Sequence, residues 1–250
     1  MKKYIFSLLL LLPLLLSACV GGGESTAGES IPEISDDGRT VIVLDAGHGF
    51  GDPGCGSEYM VGTEAEVTLD MVNRLKDELV SLGAEVILTH DGEAFPASEE
   101  IIDICVTHGI DYREDLVVED TVFSAYERGV YVLALSKETP IDMFVSLHVN
   151  SFPTDPTVDR YELYYYEGNP YSALLNRLCV AFSKRLDNKT KIAPLDYENA
   201  YIVTKYGDYP SVLVETGYAS NESAAQKLNS PAWRAEFCKA LAEEIIKAVK

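Results

Sequence analysis

Val41-Ile42-Val43-Leu44-Asp45-Ala46-Gly47-His48-Gly49 is the stretch on which the fold turns. Its first four residues form a short apolar run, the pattern of a buried strand, and the run stops abruptly at Asp45. A histidine between two glycines then follows, with little packing to do and with room for close backbone approach. A polar residue just beyond the carboxyl end of a strand is where open α/β sheets place their sites. The same order recurs downstream. Met143 to Leu147 runs into His148, Asn150 and Ser151, and Ser211 to Val214 runs into Glu215.

Helical signals lie between these strands. Thr63 reads as an N-cap with Glu66 three residues on, a capping box. Val67, Met71, Leu75, Leu79 and Leu82 then recur at helical spacing, and Gly83 ends the helix. Val86 to Thr89 and Leu163 to Tyr166 are predicted strands, whereas 121–136 and 171–186 are predicted helices. Phe237, Leu241, Ile245 and Val249 form the apolar stripe of a C-terminal helix. Strands alternating with helices predict an α/β fold. The expected form is a single catalytic domain over 40–250, a three-layer α/β/α sandwich around a mostly parallel or mixed sheet. Residues 91–120 are expected to be an insert, with a short amphipathic helix through Ile101, Ile102 and Cys105 and with His108 just past it.

The first eighteen residues stand outside that fold. Lys2 and Lys3 precede a nearly all-apolar Ile5–Leu16, then small Ser17 and Ala18, the three parts of a secretory signal. Leu16-Ser17-Ala18-Cys19 resembles a bacterial lipobox, which implies a diacylglycerol on the Cys19 thiol and cleavage before it. Residues 19–39, rich in Gly, Ser, Glu, Asp and Pro, read as a flexible tether. The protein is thus expected to be exported and held by lipid, either on the outer face of the cytoplasmic membrane or in the periplasm or outer membrane. A formal net charge of −20 repels phosphate backbones and argues against nucleic acid as a partner. Cys55, Cys105, Cys179 and Cys238 show no zinc-knuckle spacing, and in an exported chain they are free to be thiols or disulfides.

Four residues at strand or helix ends carry the chemistry. His48, Glu64 and His148 are two imidazoles and a carboxylate, a sensible donor set for zinc. Three protein donors leave the fourth tetrahedral position open, as catalytic rather than structural sites do. Glu215, a carboxylate at the end of a buried strand, has no structural reason to be there unless paired, and is the candidate general base. Asn150, two residues past His148, is expected to contact substrate. Blander roles remain open for each: a hydrogen-bonded histidine at a strand end, or Glu64 complementing a helix dipole.

Taken in order, the motifs resemble a known family. Val43-Leu44-Asp45-Ala46-Gly47-His48-Gly49 with Asp52-Pro53-Gly54 is similar to the opening motif of the zinc-dependent N-acetylmuramoyl-L-alanine amidases. Glu64 with Leu69 matches their second motif, Phe144 to Ser151 the third and Val212 to Asn221 the last. The resemblance implies zinc on His48, Glu64 and His148, with Glu215 catalytic. It implies peptidoglycan as partner and cleavage of the amide between N-acetylmuramic acid and L-alanine of the stem peptide. A zinc peptidase acting on the stem peptide and a catalytically silent wall-binding lipoprotein are the alternatives. The chain departs from the family at Cys55, which opens a thiol-hydrolase alternative, at His90 where an arginine is common, and in the insert. A second metal at His90 and His108 is a further, more remote expectation.

Overall fold

The structure is a computed structural model that describes residues 38–93, 95, 98–113 and 123–250. Strands β1 (Val41–Ala46), β2 (Glu85–Leu88), β3 (Met143–Asn150), β4 (Tyr161–Tyr166), β5 (Thr190–Leu195) and β6 (Ser211–Tyr218) form one sheet. Their order is β2-β1-β3-β6-β4-β5. All neighbours run parallel except β4 and β6, so the sheet is mixed. The helices are α1 (Glu64–Ser81), α2 (Ser98–His108), α3 (Ala125–Glu138), α4 (Ser172–Ser183), α5 (Ile202–Lys205), α6 (Glu222–Leu228) and α7 (Pro231–Val249).

Alternation along each strand sorts side chains onto two faces. Ile42, Leu44, Val145 and Val214 pack on one face with Met71 and Leu75 of α1, Leu175 of α4 and Leu241 of α7. Val43, Phe144 and Leu213 pack on the other with Val132 of α3 and Val203 of α5. Helices therefore cover both faces, the three-layer sandwich expected from sequence. Leu44 and Leu75 are fully buried, and truncating either to alanine would cost about 2–5 kcal/mol.

The capping box at α1 is present. Glu66 N–H donates to Thr63 Oγ1 (3.3 Å), and Thr63 N–H donates to Glu66 Oε2 (2.7 Å). Glu66 thus has a helix-capping role, and Glu64 occupies the first helical position. Helix α3 starts at Ala125, later than the 121 expected, because Ser124 and Glu127 build a second capping box there. The strand β5 and the short helices α5 and α6 were not anticipated. The helix expected within the insert is α2, whose Ile101 and Cys105 pack with Phe123, Tyr126 and Val130. Its last residue, His108, pairs with Glu138 of α3 at 3.2 Å. Residues 94, 96–97 and 114–120 of the insert lie outside the described residues, as do residues 121–122 of the expected helix, the expected signal, Cys19 and residues 20–37 of the tether. No helix among the described residues is long and apolar enough to cross a membrane.

Beneath the strand ends, a buried polar knot ties the sheet to α3. Asp45 is fully buried, accepts from Thr89 Oγ1 and Ser146 Oγ at 2.7 Å each, and pairs with Arg128 Nε at 2.8 Å. Burial would raise the Asp45 carboxyl, but the Arg128 charge and the two hydroxyls outweigh it and hold it below its usual value. Above this knot, four residues on adjacent strands stand in register: His148, Glu215, Glu162 and Lys191.

Candidate metal centre

His48, Glu64 and His148 converge beyond the carboxyl ends of β1 and β3, and each offers a donor atom within 4.8 Å of the other two. His48 sits in a tight loop with φ +69°, and its Nδ1 is 2.7 Å from Asp52 Oδ2. That contact fixes the ring and turns Nε2 toward Glu64 Oε1, 3.1 Å away. Glu64 is almost wholly buried at the first residue of α1. Val149 N–H donates to its Oε1 and Cys55 N–H to its Oε2, both at 2.8 Å. His148 Nδ1 lies 3.0 Å from the same Oε1.

Glycines make this approach possible. A Cβ on residue 47 would fall 2.4–2.6 Å from His148 ring atoms, and one on residue 54 would fall 2.6 Å from Glu64 Oε2 and 2.7 Å from His48 Cδ2. Gly54 also takes φ +64°, which favours glycine. Both contacts lie at the convergence point, so a side chain at either position would fill it.

The electrostatics match the geometry. Burial alone would raise Glu64, but hydrogen bonds and charges from His148 and His48 hold it below the usual carboxylate range. Burial alone would lower His48, but Glu64 and Asp52 push it up to about 8. Glu215 behaves in the opposite sense to Glu64. Burial, reinforced by the charges of Glu64 and Glu162 against a weaker His48, pushes it up to about 8. Its Oε2 has no hydrogen-bond partner among the described residues. A buried carboxyl with one oxygen unpartnered and its proton affinity raised, beside a donor cluster, has the character of a general acid or base.

The donor set fits a divalent ion. Two imidazole nitrogens and a carboxylate oxygen form a zinc-type triad, and Asp52 on the far nitrogen of His48 is the outer support such ligands use. Asp52 lies four residues after His48 within the first motif, and that spacing is the sequence signal for its supporting contact. Glu162, missed from sequence alone, is 2% exposed and was visible only as one charge inside a tyrosine-rich strand. The side-chain amide of Asn150 donates from Nδ2 to Glu162 Oε2 (3.0 Å) and accepts at Oδ1 from Ser151 N–H (2.8 Å).

Other candidates stand apart. The Cys55 thiol donates to Val149 O at 3.1 Å, and burial with the Glu64 charge pushes its pKa far up, away from a nucleophilic thiolate. Cys55, Cys105, Cys179 and Cys238 are free thiols. His90 is buried, its Nε2 2.8 Å from Ala46 O, beside Phe50 and Phe123. His108 has its own partner on α3, and neither histidine joins a donor group among the described residues.

This is the make-up of a metal-dependent α/β hydrolase. Residues 42–247 match the sequence profile of the family described as N-acetylmuramoyl-L-alanine amidase. The chain is 25% identical over 210 residues to the germination-specific N-acetylmuramoyl-L-alanine amidase of Bacillus subtilis, covering 83% of this chain and 78% of that one. It is 26% identical over 208 residues to N-acetylmuramoyl-L-alanine amidase LytC of the same organism, covering 80% of this chain but about a third, 34%, of LytC. Solved structures share the fold. The amidase AmiC2 of Nostoc punctiforme superposes with a TM-score of 0.59 at 24% identity, over 83% of this chain and 96% of that one. The catalytic domain of CwlV from Bacillus (Paenibacillus) polymyxa gives 0.61 at 21%, over 84% and 97%. The chain belongs to the N-acetylmuramoyl-L-alanine amidase family.

Proposed function

We propose that this amidase cuts the bond between the lactyl group of N-acetylmuramic acid and L-alanine with zinc held by His48 Nε2, Glu64 and His148 Nδ1. The observation that carries the reading is the meeting of those three donors within 4.8 Å, in a cradle that only glycine leaves open. Zinc, when bound, supplies Lewis acidity to the scissile carbonyl and to water. The chain supplies the rest. Asp52 holds His48 in one orientation, and two backbone N–H groups hold Glu64. Glu215 takes a proton from the attacking water on a carboxylate oxygen and delivers it to the leaving amine nitrogen. Burial and the charges of Glu64 and Glu162 raise the affinity of Glu215 for a proton, which suits a group that must take one from water before passing it on.

Peptidoglycan lies outside the cytoplasm, so the proposal extends to the ends of the chain. Residues 1–18 direct export, Cys19 carries the lipid, 19–39 form the tether and 40–250 the catalytic domain. Purified protein is expected to hold about one zinc per chain, and a chelator should abolish turnover reversibly. On sacculi the wild type should release new L-alanine amines and leave reducing sugar ends unchanged. A new amine on a later stem residue would make the protein a peptidase, and activity indifferent to chelation would sink the zinc reading.

A further inference from the structure

The cross-strand row that holds His148 and Glu215 continues past them through Glu162 on β4 and Lys191 on β5. Residues directly paired across strands point to the same face, so the four side chains form a line leading away from the metal centre. Glu162 is the buried hub of its outer half. Arg160 Nε is 2.6 Å from Glu162 Oε1, Lys191 Nζ is 3.8 Å from the same atom, and Asn150 Nδ2 and the Tyr164 hydroxyl donate to Oε2.

Two cations thus share one carboxylate. Arg160 alone, in direct contact, suffices to compensate Glu162, so Lys191 leaves a surplus positive charge. Neither cation is sunk in the core, since their side chains are 39% and 48% exposed. Both are nevertheless held in place. Arg160 Nη2 donates to the Tyr218 hydroxyl at 3.3 Å, and its guanidinium lies 5.6 Å from the centre of that ring. Lys191 Nζ donates to the Tyr164 hydroxyl at 3.3 Å and lies 5.2 Å from the centre of that ring. The two phenols are themselves buried. A fixed, outward-facing surplus cation in a chain of net charge −20 is suited to an anion brought by the substrate.

Geometry decides which part of the substrate arrives there. Glu215 delivers its proton to the leaving amine, so the peptide, not the sugar, departs on the Glu215 side of the metal. The row continues in that direction. Strands lie roughly 4.8 Å apart, which puts the β5 position roughly 10 Å beyond Glu215. An extended peptide covers roughly 3.3–3.6 Å per residue, so a side group on the second or third stem residue reaches it. We propose that Arg160 and Lys191, set on Glu162, form a subsite for a free carboxylate on the second or third residue of the stem peptide. The subsite rests on the amidase reading and specifies which substrates that amidase prefers.

The test uses soluble muramoyl peptides that differ only in whether the carboxylate of the second residue, or of the third, is a free acid or a carboxamide. For one of the two positions, wild-type kcat/KM should favour the free acid by roughly three- to tenfold, the scale of one partly exposed ion pair, with the difference in KM. In Lys191→Met and in Arg160→Gln that ratio should fall toward one. Lys191→Met replaces a half-exposed side chain, so its zinc content and melting temperature report on folding independently of the ratio. Equal efficiency on acid and amide at both positions, or a preference that survives both variants, would overturn the subsite while leaving the amidase intact. Release of amine from none of the peptides would sink the reaction itself and the subsite with it.

Discussion

Three influences act on Glu215 in one direction: its burial, the charge of Glu64 and the charge of Glu162. The result is a carboxyl that holds its proton to about pH 8 in the metal-free fold, against about 4.3 in an unfolded chain. A raised folded value means stability that is fully present below the unfolded value and lost as pH rises through 8. Metal-free wild type should therefore lose stability relative to Glu215→Gln as melts are taken from pH 5 to 8.5. His48, also raised to about 8, titrates in both proteins, and because its charge is the weakest influence on Glu215, most of its contribution cancels in the comparison. A difference between the two that stays flat with pH would show that Glu215 is not protonated in the fold. In the zinc-loaded enzyme, Glu215→Gln should keep its metal and lose roughly 10²–10⁴-fold in rate, the usual contribution of a general acid–base. Loss of zinc in that variant would make Glu215 a ligand instead.

Elements were legible where a local pattern sufficed. The strands β1, β3 and β6 announced themselves by apolar runs that stop at a polar residue, and α1 by its capping box and periodic leucines and valines. His48, Glu64 and His148, which the structure brings together, each sit where such a run or cap ends, but that position alone left blander roles open and the order of the family motifs was what singled them out. Strand β5 was not legible, since it is a half-exposed edge strand containing Pro194 and a lysine on the site face. The four-residue α5 is too short to show a period. Glu162 has Arg160 two residues away, but its place beside Glu215 and Lys191 comes from strand pairing that no local spacing reports. Asp45 was opaque because its partners are distant in the chain, and no local spacing reports a contact between residues 45 and 128. That contact makes its own prediction at this scale. Arg128→Ala leaves the Asp45 charge buried without its cation, and chemical denaturation should show a loss of about 3–5 kcal/mol. By contrast, Glu66→Ala removes only a capping contact and should cost about 1 kcal/mol or less without loss of metal. If Glu66→Ala emptied the site while Glu64→Ala did not, the donor assignment would be wrong by two residues.

For the whole molecule, the proposed function gives the acidic domain and the amino-terminal residues separate tasks. The proposed lipid at Cys19 would keep the enzyme near its substrate, and two or more acyl chains suffice for stable anchoring. Cys19→Ala should shift the protein from the membrane to the soluble fraction, or accumulate it as an uncleaved precursor, with fatty-acid labelling lost. Wild-type protein that takes up no label would remove the anchor and leave the hydrolase untouched. The order of the strands has a consequence for shorter chains. Strand β6 separates β3 from β4, and those two never pair with each other. In a chain that stops short of Ser211, the strand groups β2-β1-β3 and β4-β5 have no strand between them to join them; His48 and His148 lie at the ends of the first and Glu162 and Lys191 on the second. Strand β6 both joins the two groups and delivers Glu215, so a wall-cutting activity is expected only once β6 is present, never in fragments that lack it.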